Sequence, residues 1–565
     1  MTTDQTAYRE TSPLYVWWGS FILGGLIFLF IYGWQVLDVT KISWLLGGGD
    51  LTQHYLGWAY FRQAPWQFPF GLMTSVTYPH PISVIYTDSI PLCAVFFKML
   101  SPLLPEPFQY FGFWGLFSFC MTGGVGGLLL RRFQPYSYAV IPVSLFFSLN
   151  AVILTRMYVH TALASQWVLL LPLCFLLYDR EGGLSWQRCF IWCAFGTLGV
   201  LVHGYFVPMI GLLLLCYLGI KREALSLRWF LTFLMSFAFS VFAVMYVLGA
   251  FSSGLSMGTG AKMGELSANA LAFFNPGHFA WLLPAFPIPL IQAWEGMAYL
   301  GIGGIAALGA ASVLYWHHAV RLTQSAAGNR CCRMLVLCGA VFYLLAVLPH
   351  FYVLQHAVFY LHYPQWLNHL LGIFRANGRF IWLPMWLLLL FGVGTLLRAV
   401  SWSRWAYCAL ALCLLLQSVE VAPVVSMLRS WYVDTRLEPY LYQQMRADAG
   451  IRSLMAGHQR VIILGHDNIV HIREIGKWQR IACAAEEVHI PINEVYTARR
   501  PDELLKKDIE QYWQDLRVGT PEQGTLYVFP DPYRIREVRG LYIYQLNGYW
   551  FGTTEERDLP YHSKK

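Results

Sequence analysis

The residues best suited to chemistry lie in a polar stretch, residues 47–91, that follows the first long apolar run. Asp50, His54 and Gly57 recur there at spacings of four and three, which places them on one face of a predicted helix. Asp88 follows in the segment YTDSIP, so two carboxylates flank one loop rich in aromatic residues and proline. A partly shielded carboxylate is suited to accept the proton of an attacking hydroxyl group. We therefore interpret this stretch as the floor of an active site, with Asp50, Asp88 and His54 as catalytic residues.

Each of these three residues also has a structural interpretation. Asp50 follows three glycines and would cap a helix over residues 51–61 if it had no catalytic role. His54 would be a hydrogen-bonded interfacial histidine, or would join Asp50 in a site for a divalent cation. Asp88 would need a partner such as Lys98, because an unpaired acid near a bilayer is costly. The cofactor prediction is none, with Mg²⁺ or Mn²⁺ at Asp50 and His54 as the alternative.

A basic pair lies far from this stretch in the sequence. Arg375 and Arg379 in FRANGRF are four residues apart at the start of an apolar run, where two guanidinium groups would form a fork on a phosphate. A phosphate leaving group needs such cations because its charge rises as the bond to it breaks. The alternative is a helix flank whose arginines reach for water.

Four further residues are candidates for substrate binding. His160, His203 and Glu295 lie at predicted helix ends, and Lys262 lies in the Gly/Ser-rich stretch FSSGLSMGTGAKMGE. The histidines would line a groove for the acceptor, although most histidines at such positions are satisfied interfacial residues. Glu295 would face the cavity or cap its helix. Lys262 would contact a phosphate from a lid, or belong to a flexible connection.

The composition predicts a polytopic membrane protein. Of 565 residues, 57% are hydrophobic and 12% are charged, against roughly 25% charged in soluble domains. Apolar runs of about 17–25 residues recur along the first three quarters of the chain, each near the length that crosses a bilayer. The net charge of +8 follows from basic loops between these runs, so no nucleic-acid partner is predicted. The cysteines show no spacing typical of a metal site.

The apolar runs predict about eleven transmembrane helices. The predicted spans are 14–36, 108–130, 136–154, 158–178, 186–203, 204–220, 226–249, 295–316, 333–352, 379–398 and 404–423. Basic residues concentrate in the loops that lie inside if the N-terminus is cytoplasmic, which places the C-terminal domain and the loop 37–85 outside. Residues 85–100 are interpreted as a re-entrant or interfacial helix, because a further crossing would reverse this orientation.

The chain divides into a membrane body, residues 1–423, and a C-terminal domain, residues 424–565. In the second part RVIILGHD, TLYVFPD and GLYIYQLNGYWFG read as strands, and PDELLKKDIEQYWQDLR reads as an amphipathic helix. This alternation predicts a soluble α/β domain that covers the outer cavity. The segment PINEVYTARR would be the loop that reaches back to the membrane body.

The layout of the chain resembles the GT-C superfamily of integral-membrane glycosyltransferases. In that layout an N-terminal span is followed by a long outer loop that begins with an acid, then by a polytopic body and an outer domain. HTALASQW at His160, NGRF at Asn377 and PINEVYTAR at Pro491 resemble motifs of bacterial GT-C-like proteins. The resemblance implies transfer of a sugar from a polyprenyl-phosphate donor to a glycan or glycolipid acceptor at the outer face of a bacterial inner membrane. It also implies that Asp50 is the catalytic base, with Asp88 matching a second acidic position.

Two other classes of function remain open on the sequence. A transporter or flippase of lipid-linked glycans would carry ionisable groups at mid-membrane depth in broken helices, whereas here they concentrate in outer loops and helix ends. A non-catalytic membrane scaffold would have no buried acidic pocket.

Overall fold

The computed structural model describes residues 10–179, 182–252, 264, 266–279, 281–317, 325–401, 403–434, 438–465, 475–559 and 563–564. Within these residues, a body of apolar helices is followed by a domain built on a five-stranded sheet. A helix-rich body and a C-terminal sheet domain are thus present, while the division at residue 423 stays a prediction.

The N-terminal part forms the floor of the site. Its elements are α1 (Pro13–Tyr32), α2 (Gly49–Gln63), β1 (Leu72–Met73), β2 (Ile82–Ser83) and α3 (Pro91–Met99). At 1.5 Å per residue, α3 is about 14 Å long, well short of the roughly 30 Å of bilayer hydrocarbon. Its length agrees with an interfacial helix within residues 85–100. The predicted partner of Asp88 is elsewhere: the Lys98 ammonium lies 4.0 Å from the Phe61 ring centroid.

The middle of the body contains one broken region. The elements are α4 (Phe111–Arg131), α5 (Val140–Val143), α6 (Leu145–Ser148), α7 (Ala151–Arg156), α8 (Trp167–Tyr178), α9 (Trp186–Val202), α10 (Phe206–Ile220) and α11 (Leu227–Val247). Neither predicted span 136–154 nor 158–178 is one continuous helix. The Asn150 side chain accepts the Val152 N–H and starts a new helix, which ends at Arg156 before turns that include His160. The break exposes helix ends to the site.

Among its described residues, the rest of the body contains helices and one β-hairpin. The elements are α12 (Leu290–Glu295), α13 (Ile302–Trp316), α14 (Ala326–Val347), β3 (His350–Val353), β4 (His356–Tyr360), α15 (Gln365–Gly372), α16 (Trp382–Ala399) and α17 (Trp405–Tyr432). β3 and β4 are antiparallel. α17 runs nine residues past the predicted domain boundary at residue 423.

Among the described residues, six helices are long and apolar enough to cross a membrane. They are Pro13–Tyr32, Phe111–Arg131, Leu227–Val247, Ala327–Val347, Asn377–Ala399 and Trp405–Tyr432. α8, α9, α10 and α13 are apolar but shorter. A polytopic membrane protein agrees with these helices, while the count of eleven spans stays a prediction.

The C-terminal domain wraps helices around a mixed sheet. Its elements are α18 (Tyr440–Arg446), α19 (Ala449–Met455), β5 (Arg460–Ile463), α20 (Ile475–Glu487), α21 (Asp502–Val518), β6 (Thr525–Phe529), β7 (Tyr542–Leu546), β8 (Tyr549–Thr553) and β9 (Ser563–Lys564). The strand order is β5-β6-β8-β7-β9, with β5 and β6 parallel and the other pairs antiparallel. The amphipathic α21 buries Ile509, Trp513 and Leu516 in the same core as Tyr527 and Phe529 of β6.

Candidate active site

α2 carries the first two candidate residues, Asp50 and His54, one turn apart. The N-cap residue of α2 is Gly48, so Asp50 lies inside the first turn and makes no side-chain cap. The capping interpretation of Asp50 is therefore wrong. A carboxylate in the first helical turn is still favoured by the helix dipole. The Asp50 side chain is 28% exposed, which leaves it open to a substrate.

Residues 87–90 press against the middle of α2 and deliver Asp88. The Ser89 hydroxyl donates to the backbone oxygen of His54 at 2.7 Å. This close approach requires Gly57, because a Cβ there would lie 2.4 Å from the Cβ of Thr87. Asp88 itself has a left-handed backbone, with φ of 55°. The glycine one turn after His54 thus explains how two distant acids reach one site.

Each acid lies beside a histidine from another part of the chain. Asp50 Oδ2 is 3.2 Å from Nε2 of His160, and Asp88 Oδ1 is 3.3 Å from Nε2 of His203. The rings of His54 and His160 have centroids 6.0 Å apart. We call Asp50, His54, Asp88, His160 and His203 the acid–histidine cluster. All five were candidates from the sequence, and the fold brings them together.

Part of this cluster has the donors of a metal site. Among the described residues, one ligand atom each from His54, Asp88 and His160 lie within 4.8 Å of one another. The Nδ1 atoms of both histidines are buried and have no hydrogen-bond partner. Two imidazoles and a carboxylate are ligands for a divalent transition metal rather than for Mg²⁺, which prefers oxygen ligands. The set therefore fits a cation, and it differs from the predicted pair of Asp50 and His54.

On the other side of Asp50 lies a group that we call the arginine cluster: Arg156, Glu295 and Arg379. Glu295 Oε2 accepts from Arg379 Nε at 2.9 Å and lies 3.4 Å from Nη2 of Arg156. Arg156 is fully buried and also donates to the Trp294 backbone oxygen at 2.5 Å. Its Nε and Nη1 atoms have no partner. Two guanidinium groups thus share one carboxylate, which leaves a net positive charge.

The two clusters are joined through residues 156–160. The His160 N–H donates to the Arg156 backbone oxygen at 2.8 Å, and the His160 ring faces Asp50. Residues 156–160, at the end of α7 and just beyond it, therefore contribute the His160 imidazole to the acid–histidine cluster and the Arg156 guanidinium to the arginine cluster.

The two arginines of the predicted fork, Arg375 and Arg379, have different surroundings. Asn377 donates to the backbone oxygens of Leu345, Ala346 and Leu348 and begins a 3₁₀ helix that includes Arg379. Arg379 consequently turns inward onto Glu295, whereas Arg375 is exposed.

The C-terminal domain closes this side of the site with residues 491–500. Their backbone pairs with the outer loop, since Ile492 N–H donates to Ser75 O at 2.9 Å and Ala498 N–H donates to Tyr86 O at 2.8 Å. Burial, and then the nearby charge of Asp50, raises the pKa of the Tyr496 phenol. The same side chain hydrogen-bonds to Arg375. The predicted return of PINEVYTARR to the membrane body agrees with these contacts.

The charges in the site are strongly perturbed. Burial, then the charge of Asp88, raises the pKa of Asp50 to about 6. Burial would also raise the pKa of Asp88, but His203 and His54 outweigh it and hold that pKa well below its usual value. Burial lowers the pKa of His54 to about 4 and lowers that of His160. At neutral pH, Asp50 is mostly ionised and remains close enough to its pKa to exchange a proton.

Three residues at the site had no predicted individual role: Arg156, Tyr496 and Gln479, whose side chain bonds to the backbone of Gly49 beside Asp50. Arg156 carries a signal in the sequence, because an arginine on the arginine-poor outer side is unusual. The other two are ordinary in the sequence and gain their place from tertiary contacts. Lys262 lies outside the described residues.

Comparison with known proteins gives a family and a distant fold likeness. The family described as "Domain of unknown function (DUF6311)" matches residues 21–422, and its C-terminal domain, "DUF6311 C-terminal domain", matches residues 451–554. No curated protein matches the sequence significantly. Among solved structures, the chain is similar to the oligosaccharyltransferase of Archaeoglobus fulgidus, crystallised with a tethered acceptor peptide. Identity is 11% over 97% of this chain and 75% of that one, with a TM-score of 0.45. Identity this low transfers no residue role.

Proposed function

We propose that this chain, which belongs to the DUF6311 family, is a membrane glycosyltransferase that moves a sugar from a polyprenyl-phosphate donor to a glycan or glycolipid acceptor. The observation that carries the proposal is the meeting of an ionisable acid and two guanidinium groups in one site. Asp50 comes from the front of the chain and Arg379 from far along it, and both lie within electrostatic reach of each other. The sequence resemblance to GT-C enzymes supports the same class.

The proposed reaction is a single displacement. Asp50 accepts the proton of the acceptor hydroxyl as its oxygen bonds to the anomeric carbon of the sugar. The bond from that carbon to the phosphate oxygen breaks at the same time, and the polyprenyl phosphate leaves with the electron pair. Attack from the face opposite the phosphate inverts the anomeric configuration.

The arginine cluster is the proposed site for the leaving phosphate. Arg156 and Arg379 carry one positive charge more than Glu295 can neutralise, and Arg156 has two unpartnered nitrogen atoms. Preorganised cations at the place where negative charge develops stabilise the transition state most. Arg375 would add a weaker contact from its exposed position.

A divalent cation fits the proposal at His54, Asp88 and His160. When bound, it would supply positive charge that favours phosphate binding beside Asp50. His203 would then hold the Asp88 carboxylate in place from behind, as a hydrogen-bonding residue outside the ligand set.

The acceptor would reach Asp50 beside Tyr496, at the edge of residues 491–500. Tyr496 supports this path, because its phenol lies near Asp50 and Asp88 and hydrogen-bonds to Arg375. The proposed location is the bacterial inner membrane, with the N-terminus in the cytoplasm and the C-terminal domain in the periplasm. The basic inner loops of the sequence support that orientation.

The test is a transfer assay in proteoliposomes. Purified protein is mixed with polyprenyl phosphates carrying radiolabelled glucose, mannose, galactose or arabinose and with envelope glycans and lipids as acceptors. The expected result is a new, stable glycosidic product from one donor. Movement of labelled lipid-linked glycan across the bilayer without a new bond would replace the proposal with a transporter. The third outcome is neither transfer nor movement, in protein that is folded and binds polyprenyl phosphate with no donor preference. That outcome would replace the proposal with a non-catalytic scaffold.

A further inference from the structure

α20 of the C-terminal domain contacts both ends of α2. At the far end of α2, Gln63 Nε2 donates to Glu486 Oε1 at 2.7 Å. In the last turn but one, the Tyr60 hydroxyl donates to the Ala482 backbone oxygen at 2.7 Å. The helix that presents Asp50 is therefore held by a domain that begins almost 400 residues later in the sequence.

The third contact is at the start of α2 and is made by Gln479. Its Oε1 accepts the Gly49 N–H at 3.0 Å, and its Nε2 donates to the Gly49 oxygen at 2.6 Å. Gln479 is 3% exposed, so water does not compete for either bond. The first N–H groups of a helix have no partner within the helix, and the N-cap Gly48 has no side chain to offer one. Gln479 supplies from another domain the cap that α2 lacks.

We propose that Gln479 is a positioning residue that orients Asp50 for proton transfer. This inference rests on the proposed role of Asp50 as base. Gly48 and Gly49 have φ of 91° and 71°, a region that glycine enters at little cost and leaves just as easily. Within α2 the Thr52 hydroxyl accepts the Gly48 N–H at 2.8 Å, whereas the Gly49 N–H, immediately before Asp50, is bonded to Gln479. The two bonds from Gln479 remove the freedom of Gly49 and make the alignment of Asp50 depend on docking of the C-terminal domain.

The experiment compares Gln479→Ala with Gln63→Ala. Both variants remove a glutamine side chain from the same interface, but Gln63 lies about 21 Å along α2 from Gly49, at 1.5 Å per residue. Three quantities are measured: kcat for sugar transfer, KM for the donor, and hydrogen exchange of the amides of residues 49–51. A shift of about 1 Å in a catalytic group costs about a hundredfold. We expect Gln479→Ala to lower kcat about a hundredfold, to leave the donor KM unchanged and to speed exchange at Gly49. Gln63→Ala should stay within about twofold of the wild type in all three.

Equal kcat and equal exchange in the two variants would overturn the inference. If the wild type transfers no sugar, the proposed function fails, and hydrogen exchange alone still decides whether Gln479 orders the start of α2. Should Gln479→Ala not fold, Gln479→Glu replaces it. That side chain keeps an oxygen for the Gly49 N–H and loses the donor to the Gly49 oxygen. Its kcat should fall between tenfold and a hundredfold, and a wild-type kcat would overturn the inference.

Discussion

The two clusters that meet at the site differ in how their charges are balanced. In the arginine cluster, a buried carboxylate is shared by two guanidinium groups at 2.9 and 3.4 Å. In the acid–histidine cluster, the two acids face the imidazole rings of His160 and His203. The Nδ1 atoms of His54 and His160 are buried and have no partner. Both clusters have unpartnered nitrogen atoms, but the arginine cluster also contains two buried guanidinium groups that would repel each other if their shared carboxylate were lost. Substitutions on the two sides should therefore fail in different ways.

The largest effect is expected from Glu295→Ala, because it leaves two buried guanidinium groups facing each other. Removing one partner of a buried ion pair costs about 3–5 kcal/mol. The variant should lose most of its thermal stability in detergent together with any transfer. Glu10→Ala is the matched control, since Glu10 pairs with Arg131 at 3.1 Å but is 60% exposed. An exposed pair of this kind contributes about 1 kcal/mol or less. Similar melting temperatures for the two variants would contradict a structural role for Glu295.

Asp50→Asn should show the opposite behaviour. The amide has the same shape and cannot accept the proton, so transfer should fall by about 10²–10⁴-fold while the fold is kept. Transfer and the melting temperature are measured on the same preparation. Asp38→Asn is the control: Asp38 is an acid of the same loop that belongs to neither cluster, and its carboxylate accepts from the Thr40 hydroxyl. Unchanged transfer in Asp50→Asn would remove the proposed base, and a large loss of stability would erase the contrast between the clusters.

The contrast can be sharpened with a metal. Mn²⁺ should bind the wild type at one site, measured by calorimetry on metal-depleted protein. His54→Ala should lower the affinity for Mn²⁺ by more than about 100-fold, because the loss of a residue that only supports a ligand typically costs about 10–100-fold. His356→Ala, on the exposed strand β4, is the control and should bind as the wild type does. Equal affinity in His54→Ala would show that the unpartnered nitrogens of this cluster serve a purpose other than metal binding.

The acid–histidine cluster was accessible from the sequence because its members share simple signals. Asp50 and His54 are one helical turn apart, and the remaining three lie in polar positions beside apolar runs. What the sequence lacks is the pairing. The spacing in the sequence pairs neither Asp50 with His160 nor Asp88 with His203. The first contact depends on the helix break after α7, and the second depends on the space that Gly57 leaves for residues 87–90.

Only part of the arginine cluster could be predicted from the sequence. The spacing of Arg375 and Arg379 indicates a fork if the segment is α-helical, but Asn377 bonds to three backbone oxygens and turns the chain instead. Arg156 and Glu295 are 139 residues apart, and only the tertiary fold makes them neighbours. The local sequence pattern predicts on which face of a helix a residue lies, whereas long-range packing determines which residue it contacts.

The smallest effect is expected from Arg375→Ala, which tests whether the exposed arginine belongs with either cluster. Because it is exposed, its contribution to phosphate binding should be screened, about 1 kcal/mol or less. Affinity for polyprenyl phosphate, measured in detergent micelles, should fall by no more than about fivefold, with unchanged stability. Arg446→Ala, an exposed arginine of α18, should change neither quantity. A loss of affinity in Arg375→Ala far above fivefold would mean that the phosphate sits at the mouth of the site, on Arg375 and Tyr496. The arginine cluster would then be a structural support beneath it.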